Sequence, residues 1–212
     1  SKNWGTPFKT GQYNYSSSTI TKFDLFQIIF VDFTIFVYFF DKKRNTWEQR
    51  KFGNVFKERR EKSKLENEDV LLSCAISGMY LNTELFSHQR GKSNIGYIKI
   101  RKGDLILSAQ NLHLGNANVN LRFDHGIISP AYKVYELNKC DPLFAQSWVK
   151  REKTKDYFLA ATTEGASLCR KNVVWSALYN QPFLIPNNLE QKKIGSFFNG
   201  LDITITLHQR MS

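Results

Sequence analysis

The stretch IPNNLEQKKIGSFFNGLDITITLHQR, Ile185 to Arg210, constrains the fold more than any other part of the chain. Pro186 and two asparagines stand directly before a Glu-Gln pair. Asn187 lies three residues before Glu190, and Asn188 three before Gln191, so either asparagine can cap a helix start in a capping-box arrangement. Ile194, Phe198, Leu201 and Ile205 then recur at intervals of four, three and four residues, a heptad-like spacing along one helix face. A lone helix cannot bury such a seam, which must pack either on its own domain, as an ordinary amphipathic helix does, or on a partner.

At 212 residues the chain holds one domain with a sizeable core and an appendage. Lys and Arg number 30 against 19 acidic residues, a formal charge of +11. That balance favours a polyanionic partner, either nucleic acid or an acidic membrane surface. Cys74, Cys140 and Cys169 are odd in number, far apart and without zinc-ligand spacing to histidine, so they read as reduced thiols of a cytoplasmic protein. No secretory signal pattern is evident at the N-terminus.

Three zones differ in texture. Residues 1–45 contain the apolar run FDLFQIIFVDFTIFVYFF, Phe23 to Phe40, which has the length of a membrane span but is interrupted by Asp24, Gln27 and Asp32. This zone is an N-terminal extension of unknown role. Residues 46–185 form the expected main domain. It opens with WEQRKFGNVFKERREKS, Trp47 to Ser63, whose charges taken alone fit a basic amphipathic helix with a solvated face. DVLLSCAISGMY is strand-like, NTELFSHQRGKSNIG is a polar loop, and YIKIRKGDLILSA gives two short strands turned by Lys102, Gly103 and Asp104, with Gly103 tolerating positive φ. CDPLFAQSWVKREKTKDYF reads as one helix, and TTEGASLCRKNVVWSALYNQPFLIP as a loop followed by closing strands. Residues 186–212 are the helix described above.

The residues Pro186, Glu190, Gln191, Ile194, Gly195, Leu201, Asp202, Thr204, Ile205, Leu207, His208, Gln209 and Arg210 closely resemble the conserved helix of type I restriction–modification specificity (S) subunits. Trp47, Glu48, Gln49, Arg50, Lys51, Gly53 and Val55 resemble the element that opens a target-recognition domain in that family. Gly103, Asp104, Gly126, Ile127, Ser129, Pro130, Ala131, Tyr132 and Val134 resemble its centre. The resemblance runs from Trp47 to Ser212. It implies an α/β target-recognition domain with a mixed or antiparallel sheet and short helices, followed by a spacer and dimerisation helix. In the family that helix continues for several more turns, so here it is expected to be truncated.

Several apparent motifs have plainer explanations. SPAY, Ser129 to Tyr132, is superficially similar to the amino-methyltransferase loop, but Ser129 and Ala131 lack the groups that grip a target amine, so Pro130 reads as a turn. Glu190 to Lys192 could be half of a nuclease motif, yet capping explains Glu190 better. The chain has no nucleotide-binding P-loop, and His88, His113 and His125 have no convincing catalytic partner. No catalytic or metal-binding residue is therefore expected.

Two polar loops carry the side-chain types that bond base edges, Arg and Lys to guanine and Asn and Gln to adenine. The first offers Ser87, Gln89, Arg90, Lys92 and Asn94, with His88 and Ser93 beside them. The second offers Gln110, Asn111, His113 and Asn116, with Asn118. Any of these can equally be a hydrated surface residue. Arg59, Arg60, Arg101, Lys150 and Arg151 are candidates for phosphate contacts, which position a protein without reading sequence. Ile194, Phe198, Leu201 and Ile205 are the candidate partner-helix residues.

The resemblance implies a DNA-binding specificity subunit or half-subunit that carries no cofactor itself. Its expected partners are double-stranded DNA, a modification subunit that methylates adenine with S-adenosylmethionine, a restriction subunit that uses ATP and Mg to translocate and cut DNA, and a second specificity half. Two alternatives stand beside it. One is a truncated specificity fragment without function; the other is a basic membrane-associated protein anchored through residues 23–40.

Overall fold

The computed structural model describes residues 47–87, 93–167 and 170–211, all within the unit Asn45–Ser212. The extension with its apolar run lies outside the described residues, as do His88, Gln89, Arg90, Lys92 and Cys169. No helix among the described residues is long and apolar enough to cross a membrane.

Two four-stranded sheets face each other. The first has the order β2-β9-β6-β7, from β2 (Phe56–Arg59), β6 (Leu105–Ser108), β7 (Ala117–Val119) and β9 (Tyr132–Leu137), all antiparallel. The second has the order β4-β3-β8-β5, from β3 (Leu71–Ala75), β4 (Gly78–Leu81), β5 (Ile98–Arg101) and β8 (His125–Ile128). β3 and β8 run parallel and the remaining pairs antiparallel, so this sheet is mixed. Leu72, Cys74, Met79, Ile100, Ile106, Ile128 and Val134 fill the space between the sheets. Because side chains alternate along a strand, Leu105, Leu107 and Tyr135 point the other way, and all three are fully buried. The Leu-Ile-Leu run is apolar without alternation because the first sheet is covered on both faces.

That second face carries an aromatic core. Phe56 stacks on Trp148 at 6.2 Å, and Trp148 meets Phe183 and Phe158 edge-on at 4.9 and 5.6 Å. Phe52 packs on Phe56 at 4.4 Å. This packing explains why Trp47 to Ser63 is not one basic helix. Phe52, Val55 and Phe56 are all buried, and the segment breaks into β1 (Glu48–Lys51), one helical turn α1 (Phe52–Val55) and β2. β1 pairs with β12 (Pro182–Ile185), Glu48 opposite Ile185, so the two ends of the domain are joined.

Elsewhere the helices depart from the sequence pattern. The segment after β4, expected to be a polar loop, opens with a single helical turn, α2 (Asn82–Leu85). The helix expected over residues 140–158 is two, α3 (Pro142–Val149) and α4 (Glu152–Leu159). Asp141 caps α3 by accepting from the amides of Leu143 and Phe144, and Pro142 occupies the first turn, where no amide donor is needed. The break at Arg151, whose backbone is extended, lets the buried Thr154 hydroxyl donate to the Trp148 carbonyl at 2.6 Å. The loop expected after α4 is a hairpin, β10 (Thr162–Ser167) with β11 (Arg170–Val173), and α5 (Trp175–Asn180) follows before β12. Gly103 has φ +88°, so the Lys102–Asp104 turn has the conformation its glycine allows. The 24-residue helix α6 (Asn188–Met211) leaves the domain last.

Candidate nucleic-acid interface and helix root

Four candidate contact residues are committed to the domain itself. Arg59 donates from Nε and Nη2 to the two carboxylate oxygens of Asp104, at 2.9 and 3.0 Å, with side chains only 13% and 4% exposed. Asp104 also accepts the Arg101 amide at 2.8 Å, so Arg59 braces the Gly103 turn and is not a phosphate contact. The ion pair pushes the Arg59 pKa upward. Lys150 lies at the end of α3, and its ammonium donates to the carbonyls of Ile76 and Ala117 at 2.7 and 3.1 Å, joining the β3–β4 turn to β7. Desolvation lowers the Lys150 pKa. Its charge serves that junction, although the residue as a whole is exposed.

Two base-reading candidates are likewise turned inward. Asn94 is fully buried, and its amide exchanges bonds of 2.8 Å with the backbone amide and side chain of Asn67. Asn67 has φ +52°, a left-handed conformation that asparagine tolerates and this exchange holds. Asn116 is buried against the Cys74 thiol. Its neighbour Asn118 donates to Cys74 Sγ and to the Ala75 carbonyl. Burial pushes the Cys74 thiol up to about 11 and the Cys140 thiol up to about 12, so neither is a thiolate nucleophile at neutral pH.

The remaining candidates face outward or partly so. Ser87 is exposed after α2, beside a depression lined by Asn67, Leu71, Leu81 and Phe86. Gln110 is exposed, and its carbonyl accepts the Lys171 amide of β11 at 3.3 Å. Asn111 and His113 are half-buried. His113 Nδ1 is enclosed without a hydrogen-bond partner among the described residues. Its pKa is lowered by burial and then by the Lys171 charge, which favours the neutral imidazole. Lys171 adjoins this loop through the hairpin, a placement that no spacing in the sequence announces. Arg60 is 82% and Arg101 61% exposed, paired to Glu58 and Glu61 at 2.9 and 3.1 Å. Arg151 is also exposed. The two polar loops lie against different elements. Residue Ser93 bonds Glu66, whereas Gly115 approaches Lys155 of α4 and Gln110 bonds β11.

The root of α6 is built from the motif residues. Asn187 is the cap, accepting the Glu190 amide at 3.0 Å. The Glu190 carboxylate accepts the Trp47 indole N–H at 3.1 Å, tying the first described residue to the last helix. The buried Gln191 accepts the Asp141 amide at 2.7 Å and donates to the carbonyls of Pro186 and Lys139 at 2.8 and 3.3 Å. Gly195 lies so close to α3 that a Cβ there would sit 2.6 Å from the Phe144 amide nitrogen. Ile194 is buried in the domain, Phe198 and Leu201 are half-buried, and Ile205 is 42% exposed. The seam is therefore divided. Its first residue belongs to the domain and its last, Ile205, is 42% exposed, while Ile203 and Leu207 beside the seam are open at 52% and 54%.

Among the described residues, no group of three His, Cys, Asp or Glu side chains could hold a metal ion. The arrangement offers separated polar loops, exposed cations and a projecting helix, which suit binding.

No family model and no curated protein matches this sequence. Solved structures match its fold. One comes from work on complex assembly and conformational transition of a type I restriction–modification system, with TM-score 0.56 and 18% identity over 78% of this chain. Another is the HsdS subunit from Thermoanaerobacter tengcongensis, with TM-score 0.54 and 17% identity over 78% of this chain. In each case this chain spans 44% of the other's length. At these identities the likeness is one of fold.

Proposed function

We propose that this chain is a sequence-specific DNA-binding specificity subunit, or half-subunit, of a type I restriction–modification complex. The observation that carries the proposal is the shared architecture: a two-sheet domain whose last helix is tied by Glu190 to Trp47, just before the first strand, with a fold similar to part of an HsdS subunit. The residues at that tie, and at the Gly103–Asp104 turn, are those through which the sequence resembles the family.

In this reading the exposed cations Arg60, Arg101 and Arg151 place the domain on the DNA backbone, and Gln110, Asn111 and Ser87 reach base edges. Base discrimination comes from the polar groups of the loops, since an unmatched base edge leaves them without partners. The exposed part of α6 engages the modification subunit or a second specificity half. The chain performs no catalysis. Adenine methylation with S-adenosylmethionine, and ATP- and Mg-dependent cleavage, belong to the partner subunits.

The test is methylome sequencing of cells that express the full chain with its cognate modification subunit. A single methylated sequence that disappears when the chain is omitted is the expected result. Methylation of the same sequence without the chain, or of none with it, overturns the proposal.

A further inference from the structure

The chain leaving β2 continues as an extended segment beside β5. The Lys99 amide donates to the Glu61 carbonyl at 2.8 Å, the Ser63 amide donates to the Tyr97 carbonyl at 2.8 Å, and Lys62 bridges to Ile98. Burial along this segment is uneven, and Glu61, though exposed, is held by Lys99 and Arg101. Arg59 and Ser63 point inward, their exposures 13% for the Arg59 side chain and 3% for Ser63. Arg60, Lys62 and Lys64 lie between and beyond them, all exposed, with the Arg60 side chain open to 82%. Alternate residues of an extended chain are about 6.7 Å apart, a spacing on the scale of successive phosphates along one nucleic-acid strand.

The neighbouring acids do not cancel this row. Asp104 is bound by Arg59, Glu61 by Arg101 and Lys99, and Glu68 by Lys99 and the Lys64 backbone amide. Glu66 accepts from Ser93 and from the Asn94 amide. Glu58 is shared between Arg60 and Lys133, and the Lys133 ammonium lies 4.6 Å from the Trp175 ring. The side-chain ammoniums of Lys62 and Lys64 have no carboxylate partner among the described residues. Glu58 thus offsets part of the Arg60 charge, whereas the acids of this region leave the Lys62 and Lys64 ammoniums uncompensated.

We propose that Arg60, Lys62 and Lys64 form a phosphate-tracking ridge that grips one strand of duplex DNA irrespective of its sequence. The inference rests on reading the chain as a DNA-binding domain, and it places the backbone grip on the segment that joins the edges of the two sheets. Lys62 and Lys64 have no place in the sequence resemblance.

The experiment is a salt titration of DNA affinity for the full chain, using a duplex with the methylated sequence and a scrambled duplex. Each phosphate contact contributes about 0.9 to the slope of log K against log salt. The variant Arg60→Gln/Lys62→Gln/Lys64→Gln is expected to flatten that slope by about 2 to 3, equally on both duplexes. Lys62→Gln alone is expected to flatten it by about 0.9, and Lys153→Gln on α4 by nothing. All the replaced side chains are exposed, so thermal melts should coincide. A slope unmoved by the triple variant, or moved only on the recognised duplex, overturns the ridge. If the native chain binds both duplexes equally and the triple variant flattens both slopes, the ridge stands and sequence specificity fails. If it prefers the recognised duplex and the slope does not move, specificity stands and the ridge fails. Binding to neither duplex overturns both.

Discussion

Arg59 and Asp104 lock the two sheets at one corner through a pair of parallel hydrogen bonds, 2.9 and 3.0 Å long and almost out of water. Arg59 ends β2 in the first sheet, and Asp104 follows the turn from β5 of the second into β6 of the first. The planar guanidinium matches the two carboxylate oxygens, and the Arg101 amide satisfies Asp104 further. The pair is structural, and removing Asp104 leaves the Arg59 guanidinium with Glu136, 3.6 Å away and largely exposed, as its remaining partner in the pair's place. Asp104→Ala should cost about 3–5 kcal/mol in a urea melt. The double variant Arg59→Met/Asp104→Leu should recover much of that loss, because no buried charge remains. A double variant no more stable than Asp104→Ala would mean that packing, and not charge, holds the corner.

Gly195 and Gly200 lie on the same helix and should respond oppositely to alanine. A Cβ at Gly195 would sit 2.6 Å from the Phe144 nitrogen and 2.7 Å from Leu143 Cβ, whereas nothing lies within 4 Å of one at Gly200. Gly195→Ala should destabilise by about 1–3 kcal/mol, since α6 must move off α3. Gly200→Ala should stabilise by about 0.5–1 kcal/mol by restricting the unfolded chain. Thermal melts of the two variants decide it, and equal shifts would contradict the close approach.

Glu68 supplies an acid-dependent contact. Bonds from Lys99 and from the backbone amides of Lys64 and Leu65 hold its carboxyl down from 4.5 to about 2. A carboxyl depressed on folding contributes stability above its unfolded value and loses it as pH falls through the folded one. The contribution should therefore fade between about pH 4.5 and 2. Glu68→Gln should lower stability at neutral pH and converge with the native chain as pH falls through that window, as read from melts at a series of pH values.

How much of this was legible in the sequence depends on where the constraint lay. The capping asparagine, the positive-φ turn at Gly103 and the division of Tyr97 to Ala109 into two strands are local, and local chemistry announces them. The break between α3 and α4 rests on a contact only six residues long, Thr154 reaching back to the Trp148 carbonyl, but that reach falls outside the three- and four-residue spacing by which a helix is read. The inward turns of Arg59, Asn94, Asn116 and Lys150 are invisible for a different reason, because their partners are distant in sequence. A polar side chain in a polar stretch looks available until its distant partner is known, and for Asn94 that partner is 27 residues away.

The same distinction separates two asparagine and glutamine positions experimentally. Gln110 is exposed, so Gln110→Ala should leave the melt unchanged and relax discrimination at one base pair by about 1–3 kcal/mol. Asn94→Ala should do the reverse. It strips Asn67 of two bonds inside the domain, at a cost of about 1–3 kcal/mol in stability. Competition binding with single-base variants of the recognised duplex gives the first number and a urea melt the second. A changed base preference in Asn94→Ala without loss of stability would put the reading surface at the first loop's buried end.

The divided seam of α6 yields a sharper contrast than an unbroken stripe would. Ile194 is 5% exposed and packs in the domain, whereas Ile205 and Leu207, further along the helix, are 42% and 54% exposed. A lysine at Ile194 must bury a charge or push the helix root away, so Ile194→Lys should collapse the melt. Ile205→Lys/Leu207→Lys changes exposed positions only and should stay within about 0.5 kcal/mol of the native chain. If the distal part of α6 is the docking surface for a modification subunit or a second specificity half, this second variant should nevertheless fail to assemble, because the lost burial belongs to the interface. The measurement is a pull-down with the modification subunit beside the melt of the isolated chain. Assembly that survives Ile205→Lys/Leu207→Lys would show that partners hold the chain elsewhere, and that the open side of α6 is only the exposed face of an amphipathic helix.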